Sequence, residues 1–90
     1  MYNMYEVKNP VYQDYAEILK QYAENLVVIT NVDWEKHGHL VGGIVRYYGN
    51  DRNGLINKWG ELSKREHESK YGKCFFKTLM RDRGVHFHYD

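Results

Sequence analysis

The sequence contains a single cysteine and no long apolar run. Because Cys74 is the only cysteine, the chain cannot form an intramolecular disulfide. It also cannot form a metal site built only from the cysteines of one chain. No stretch approaches the roughly 18 consecutive apolar residues that a membrane span requires. Residues 1–6 also lack the basic start and the apolar core of a signal peptide. We therefore expect a cytoplasmic protein without membrane association.

Catalytic signatures are also missing. The glycine pair Gly42–Gly43 lies in no phosphate-binding spacing. Cys74 would need a nearby histidine to act as a nucleophile, and its position before two phenylalanines is more typical of a small core residue. His67 lies between Glu66 and Glu68, but adjacent residues of a helix do not face each other, which disfavours an acid–base pair. The sequence predicts neither an enzyme nor a bound cofactor.

The composition is that of a folded protein. Hydrophobic residues make up 42% and charged residues 28% of the chain, which argues against disorder. A chain of this length buries roughly 60% of its unfolded surface, so we predict a single domain over residues 1–90. The chain has nine tyrosines. Because tyrosine combines an apolar ring with a polar tip, these residues suit either the rim of a small core or a contact surface.

Two apolar runs stand at the centre of the sequence. Leu26–Trp34 and Leu40–Tyr48 are rich in β-branched residues and are joined by the polar bend 35–39, which contains a glycine. This pattern predicts a β-hairpin. Within the second run, Gly42–Gly43 interrupts the regular pleat, and we expect a β-bulge there. The other elements are predicted to pack onto this hairpin.

A helix over residues 10–25 is predicted before the hairpin. Asn9 is a preferred N-cap residue, and Pro10 fits the first helical position. Apolar residues then recur at spacings of three and four, which places them on one helix face. They are Val11, Tyr15, Ile18, Leu19, Tyr22 and Leu26.

The remainder of the chain predicts two further helices and a final strand. Asn53 is expected to cap the second helix, and residues 63–70, which contain no apolar side chain, form exposed helix or loop. Helical spacing resumes over 71–83, with a hairpin over 74–80 as the alternative, and residues 85–89 alternate as a strand. The apolar stripe of the second helix comprises Leu55, Ile56, Trp59 and Leu62.

These elements together predict an α+β fold. The sheet is small, antiparallel or mixed, and is formed by the central hairpin and the C-terminal strand. Two to three helices are expected to pack on one face of this sheet.

Charge is distributed unevenly along the chain. Residues 1–57 hold five Lys/Arg and seven acidic residues, whereas residues 58–83 hold eight Lys/Arg and four acidic residues. The basic segment is expected to be either an ordinary solvated helix face or a contact with an acidic partner. A nucleic-acid-binding protein that uses residues 58–83, with Tyr47, Tyr48 and Tyr71 stacking on bases, is the first alternative function. The acidic residues interleaved with the basic ones count against it.

Two His-x-His pairs give a second alternative. His86 and His88 would point to the same face of the final strand, and paired imidazoles can bind zinc or another divalent metal. His37 and His39 lie in the predicted bend. If the two pairs converge, the chain is a metal-binding protein or, with an open coordination position, a metal-dependent hydrolase. The simpler interpretation places the four side chains in a polar turn and on the solvent side of a strand.

The leading hypothesis is a small module that binds another protein. Exposed aromatic and basic side chains dominate the binding energy of protein interfaces. A second copy of the chain is included among the expected partners, because a short chain gains stability by burying surface in a homodimer. The predicted contact residues are Tyr47, Tyr48, Trp59, Lys64, Arg65 and Tyr71.

The composition carries one resemblance. Rich in Tyr, Asn and Lys and without catalytic motifs, the chain resembles inhibitors of host proteins that phages and mobile elements make, such as anti-CRISPR proteins. The resemblance implies an intracellular inhibitor that acts by binding a host protein.

Overall fold

The two predicted apolar runs form the longest strands of the fold. The computed structural model describes residues 2–35, 40–64 and 70–79. The five described strands form one antiparallel sheet in the order β1-β4-β3-β5, and β2 pairs with β4 on the same side as β1. In chain order the elements are β1 (Met4–Glu6), β2 (Tyr12–Asp14), α1 (Tyr15–Gln21), β3 (Leu26–Trp34), β4 (Leu40–Gly49), α2 (Arg52–Ser63) and β5 (Phe75–Thr78).

The central hairpin is confirmed. Leu26 of β3 pairs with Gly49 of β4, and Trp34 pairs with Leu40, in antiparallel register. Residues 36–39 of the predicted bend lie outside the described residues. Because β3 lies between β4 and β5 and carries apolar residues on both of its faces, it supplies much of the buried surface of the protein.

A shift of register lies opposite Gly42–Gly43, but its extra residue is in β3 and not in β4, where the bulge was predicted. Thr30 pairs with Ile44, and the next pair is Asp33 with Gly42, so β3 contains one extra residue in this stretch. The extra length bends the strand and re-aims the side chains that follow.

The first helix begins later than predicted. α1 spans Tyr15–Gln21 rather than 10–25, and its N-cap is Asp14 rather than Asn9. The Asp14 carboxylate accepts a hydrogen bond from the backbone N–H of Glu17 at 2.8 Å. The preceding strand β2 pairs with β4, which satisfies backbone groups that the predicted helix would have satisfied internally. Asp14 is as good a cap as Asn9, so the sheet decides where the helix begins.

The second helix is capped by Asp51 rather than Asn53. Oδ1 of Asp51 accepts a hydrogen bond from the backbone N–H of Gly54 at 3.1 Å. Leu55 of α2 is fully buried, whereas Trp59, one turn further on, is 37% exposed. Within the described ranges, neither α1 nor the 12-residue α2 has the length and apolar character needed to cross a bilayer.

The helix predicted over 71–83 is wrong in its described part. Phe75–Thr78 form β5, which pairs with β3. The three- and four-residue spacing of its apolar side chains fits a helix locally, but the edge of β3 offers a row of backbone hydrogen-bonding groups to a segment that reaches it. Residues 80–83 and the predicted final strand 85–89 lie outside the described residues.

The two helices contact the sheet through alternate residues of β4. Tyr48 packs on Tyr22 of α1, with ring centroids 5.0 Å apart, whereas Lys58 of α2 lies over the ring of Tyr47. Adjacent residues of a regular strand point to opposite faces, so each helix covers its own face here. Arg46 is an extra residue of β4 at a register shift, so it does not follow this alternation. The α+β class and the antiparallel sheet are therefore confirmed, and the described helices pack on the sheet as predicted, but on both of its faces rather than on one.

The larger core cluster lies between α1 and the sheet. Tyr5 and Tyr22 pack on either side of Tyr48 at its margin, with centroid distances of 5.2 Å and 5.0 Å to the Tyr48 ring. The buried members of the cluster are Ile18, Tyr22, Val27, Ile29, Val32, Val45 and Leu79.

Tyr22 makes the stability of this core sensitive to alkaline pH. Burial raises the pKa of the Tyr22 hydroxyl above its usual 10.0, and the neighbouring Tyr48 raises that pKa further. The folded state thus favours the neutral phenol, so its contribution to stability is complete below about pH 10 and is lost as the pH rises through the higher pKa of the folded state. We expect the free energy of unfolding to fall less above about pH 10 in Tyr22→Phe than in the parent.

Urea denaturation of the parent and Tyr22→Phe at neutral and alkaline pH measures this difference. Tyr2→Phe is the matched control, because Tyr2 is 81% exposed, and it should keep the alkaline loss of the parent. A Tyr22→Phe protein with the same alkaline loss as Tyr2→Phe would show that the effect comes from another group.

Candidate functional site

Cationic side chains cover aromatic rings along the side of the sheet that carries α2. Lys58 Nζ lies 5.5 Å from the Tyr47 ring centroid, and the Arg52 guanidinium carbon lies 5.6 Å from that of Phe76. Each pair combines an apolar ring with a charge held over its π-face, the geometry of a cation–π contact. Together with the cluster described next, these pairs form a surface that we call the basic face. Its members are Arg46, Tyr47, Arg52, Lys58, Lys70, Tyr71 and Phe76.

A hydrogen-bonded cluster fixes the orientation of Arg46. Its Nε donates to Oγ1 of Thr30 at 2.8 Å, and Thr30 is fully buried. The Thr30 hydroxyl donates in turn to Oδ1 of Asn31 at 2.8 Å. Asn31 holds the loop before β5, because its backbone N–H donates to the Tyr71 carbonyl at 2.6 Å and its Nδ2 donates to the Lys70 carbonyl at 3.1 Å. The φ of Asn31 is 52°, a left-handed conformation that asparagine tolerates.

Two cations share the ring of Tyr71 as a result. The Arg46 guanidinium carbon and Lys70 Nζ each lie 5.4 Å from its centroid. Arg46 and Tyr71 are half-buried and Lys70 is exposed. A half-buried position strengthens electrostatic interactions relative to open solvent.

The charge of the described residues is polarised. Residues 40–64 and 70–79 contain seven Lys/Arg and two acidic residues, whereas residues 2–35 contain two Lys and six acidic residues. Among the described side chains, the ion pair is Lys58 with Glu61, at 3.4 Å. The basic face therefore carries a net positive charge that its own described carboxylates do not neutralise.

The structure separates the six predicted contact residues. Tyr47 and Tyr71 belong to the basic face, and both are half-buried. Trp59 and Lys64 are exposed, on α2 and directly after it. Tyr48 points to the other face of the sheet, against α1. Arg65 lies outside the described residues.

Tyr48 instead lines an open groove between β1 and the end of α1. The groove has a volume of about 640 Å³. Tyr5, Tyr22 and Gln21 line it together with the residues of the N-terminal arm. Because the Tyr5, Tyr48 and Tyr22 rings already pack on one another, part of their apolar area is satisfied within the chain.

A further polar contact crosses the sheet near the hairpin bend. A Cβ at Gly42 would lie 2.6 Å from the Tyr12 hydroxyl oxygen. Glycine at this position therefore makes room for the Tyr12 side chain, which reaches across β4 to Asp33. Desolvation raises the pKa of Tyr12, and the hydrogen bond to Asp33 and the charges of Asp33 and Asp14 add to that rise. This tyrosine is therefore a neutral hydrogen-bond donor at neutral pH.

The histidines of the metal alternative, His37, His39, His86 and His88, lie outside the described residues. Within residues 2–35, 40–64 and 70–79, no group of three or more His, Cys, Asp or Glu side chains is arranged to hold a metal ion.

The sequence pattern did not predict a role for Arg46, Thr30 or Asn31. One feature of the sequence points to Arg46, because it is the only charged residue inside the apolar run Leu40–Tyr48. A charge in such a run is either on an exposed face or held by buried polar partners. Thr30 is that partner here, but the link spans 16 residues and depends on the register of β3 and β4.

No protein-family model matches this chain, and neither a curated protein nor a solved structure is significantly similar to it.

Proposed function

We propose that this chain is a small binding module that docks on another protein through the basic face, with Trp59 and Lys64 as exposed neighbours. The observation that carries the proposal is the set of half-buried rings with cations held over them, at Tyr47, Tyr71 and Phe76. A partner whose surface is covered in this way loses its other contacts, so the module would act as an inhibitor.

The chemistry of this surface favours a protein partner. Tyr, Trp and Arg are the residues most enriched in the energetic centres of protein interfaces, because they bring large contact area with little entropy to lose. Tyr47 and Tyr71 are already held by overlying cations, so they lose little freedom on binding. The excess of Lys and Arg predicts a partner with an acidic surface.

Photo-crosslinking tests the proposal. A photoreactive phenylalanine analogue in place of Trp59 should cross-link to one protein of the source cells, and the same analogue in place of Leu19 should not. Leu19 is the matched control, because it is 41% exposed against 37% for Trp59 but lies on α1. Charge reversal at Lys64, which is exposed, should abolish the Trp59 cross-link. Equal cross-linking from both positions would place the contact elsewhere.

A nucleic acid is the second candidate partner, because cations interleaved with aromatic rings also suit single-stranded DNA or RNA. The Lys58–Glu61 ion pair neutralises one cation of α2 and interrupts a positive track for phosphates. Anisotropy of a labelled oligothymidylate distinguishes the two. Binding that weakens steeply between about 50 and 200 mM salt would favour the nucleic acid.

A second copy of the chain is the remaining protein partner. The described residues 2–35 carry six acidic residues against two lysines, which complements the basic face of another copy. Sedimentation velocity at low and high protein concentration tests this, and a Lys64→Glu variant that remains monomeric where the parent dimerises would identify the surface.

A further inference from the structure

We infer that Arg46 and Lys70, together with Tyr71, form a receptor for a carboxylate side chain of the partner protein. Arginine has five N–H donors in a fixed planar fork. In Arg46, Nε is occupied by Thr30 at 2.8 Å, and Nη2 lies 3.5 Å from Oδ1 of Asn31, a long contact. Within the described part of the chain, these contacts leave most of the Nη edge to bind a ligand.

The orientation of this edge is set before a ligand arrives. Thr30 is fully buried and hydrogen-bonded to Asn31, so the Nε of Arg46 is held by a constrained partner. The Tyr71 ring supports the guanidinium from its face, at 5.4 Å. An arginine fixed in this way loses little rotamer entropy when it binds a ligand. This preorganisation increases the binding affinity.

Electrostatics specify an anion. Arg46 and Lys70 bring two positive charges to one ring, and within the described ranges neither has a carboxylate within ion-pair distance. Two positive charges within 5.4 Å of one ring centroid make the local potential positive, which favours an anion at this position. The arginine fork matches the planar two-oxygen geometry of a carboxylate, which it binds through two parallel hydrogen bonds.

A protein carboxylate fits this site better than a nucleic-acid backbone. The site brings two cations to one ring, which suits a single acidic side chain, whereas a nucleic acid requires a track of cations along its phosphates. That the carboxylate belongs to a protein rests on the proposed function. The site itself rests on the geometry of Thr30, Arg46, Lys70 and Tyr71.

The probe for this receptor is a fluorescein-labelled hexaglutamate peptide, with a labelled oligothymidylate of matched charge as the second arm. We expect Arg46→Gln to raise the Kd for hexaglutamate by about tenfold, since hydrogen bonds between two charged groups are the strong ones. Lys70→Gln should raise it by about threefold, as expected for a single exposed charge. The matched control is Lys77→Gln, which also removes one charge held over a ring, that of Tyr15, but lies outside the basic face and should change the Kd by less than about twofold.

Nitrogen-15 NMR adds a direct readout, because the Nε–H signal of Arg46 should shift on addition of hexaglutamate by more than that of Arg52. Equal losses in all three variants, no binding by the parent, or tighter Arg46-dependent binding of oligothymidylate would each overturn the inference. If Arg46→Gln disturbs the fold, the Kd of the Lys70→Gln variant still tests the receptor, because Lys70 is exposed. Failure of the hexaglutamate arm with a persistent Trp59 cross-link would reject the receptor alone, and the reverse result would reject the proposed docking surface alone.

Discussion

Replacing Ile18 by alanine should lower the free energy of unfolding by about 3 kcal/mol, the central cost of truncating a buried aliphatic side chain and leaving a cavity. Ile18 is fully buried, and it is the residue through which α1 enters the core against Val27, Ile29 and Val45. Small domains have about 5–15 kcal/mol of stability in total, so this loss is a large part of it.

Leu19→Ala is the matched control for this prediction. Leu19 follows Ile18 on α1 but is 41% exposed, so its truncation should change the free energy of unfolding by less than about 0.5 kcal/mol. Thermal unfolding should show a decrease of about 15 °C for Ile18→Ala, since each kcal/mol corresponds to roughly 4–8 °C in a domain of this size. Similar losses in both variants would mean that α1 is not packed on the sheet as described.

The elements that the sequence predicted well are those in which local and long-range signals agree. Leu26–Trp34 and Leu40–Tyr48 are β-branched, close in sequence and separated by a polar bend, so their nearest partner is also their true partner. A register shift near Gly42–Gly43 was predictable, although not the strand that carries its extra residue, because glycine is costly inside a strand unless the backbone needs it.

The errors fall where a distant strand decides a local conformation. Residues 12–14 fit the helical pattern of the sequence, but they pair with β4 as a strand of the sheet. Asp14 then caps the shortened helix. In the same way, Phe75 and Phe76 fit a helix by spacing but pair with β3. Sheet pairing between segments some 30–50 residues apart leaves no periodic signal in either segment, because the hydrogen bonds are formed by the backbone.

The predicted contact residues show the same division. Trp59 and Lys64 are exposed, although Trp59 belongs to the apolar stripe predicted for the second helix. Tyr47 and Tyr48 look equivalent in sequence, but the alternation of strand side chains directs them to opposite faces. Arg46 becomes a site only through Thr30 and Tyr71, which lie 16 residues before and 25 residues after it. The basic face is therefore a product of the sheet register.

The N-terminal arm provides the second large prediction, at Gly49. This residue ends β4 with a φ of 144°, a conformation that residues with a side chain rarely adopt. A Cβ at Gly49 would also collide with the backbone carbonyl oxygen of Asn3. That oxygen accepts hydrogen bonds from the backbone N–H groups of Asn50 and Asp51, at 2.9 Å and 3.0 Å, so it has little freedom to move away.

Gly49→Ala should therefore lower the free energy of unfolding by about 3 kcal/mol, combining backbone strain with the loss of the hydrogen bonds to Asn3. Gly60→Ala is the control, because a Cβ at Gly60 meets no atom within 4 Å and the residue lies inside α2. Alanine is the better helix former, so this variant should gain about 0.5–1 kcal/mol.

Amide hydrogen exchange separates the two ways in which Gly49→Ala can relieve the collision. If β1 leaves the edge of β4, the amides of Met4–Glu6 lose protection while those of β3 keep it, and the groove beside Tyr48 opens. If β4 distorts instead, protection falls in β3 as well, because β3 pairs along the length of β4. We expect the first result, since β1 is three residues long and contacts the sheet along one edge, whereas β4 is held by β3 on its other side. An alanine at Gly49 that costs nothing would mean that the arm does not lie against the end of β4.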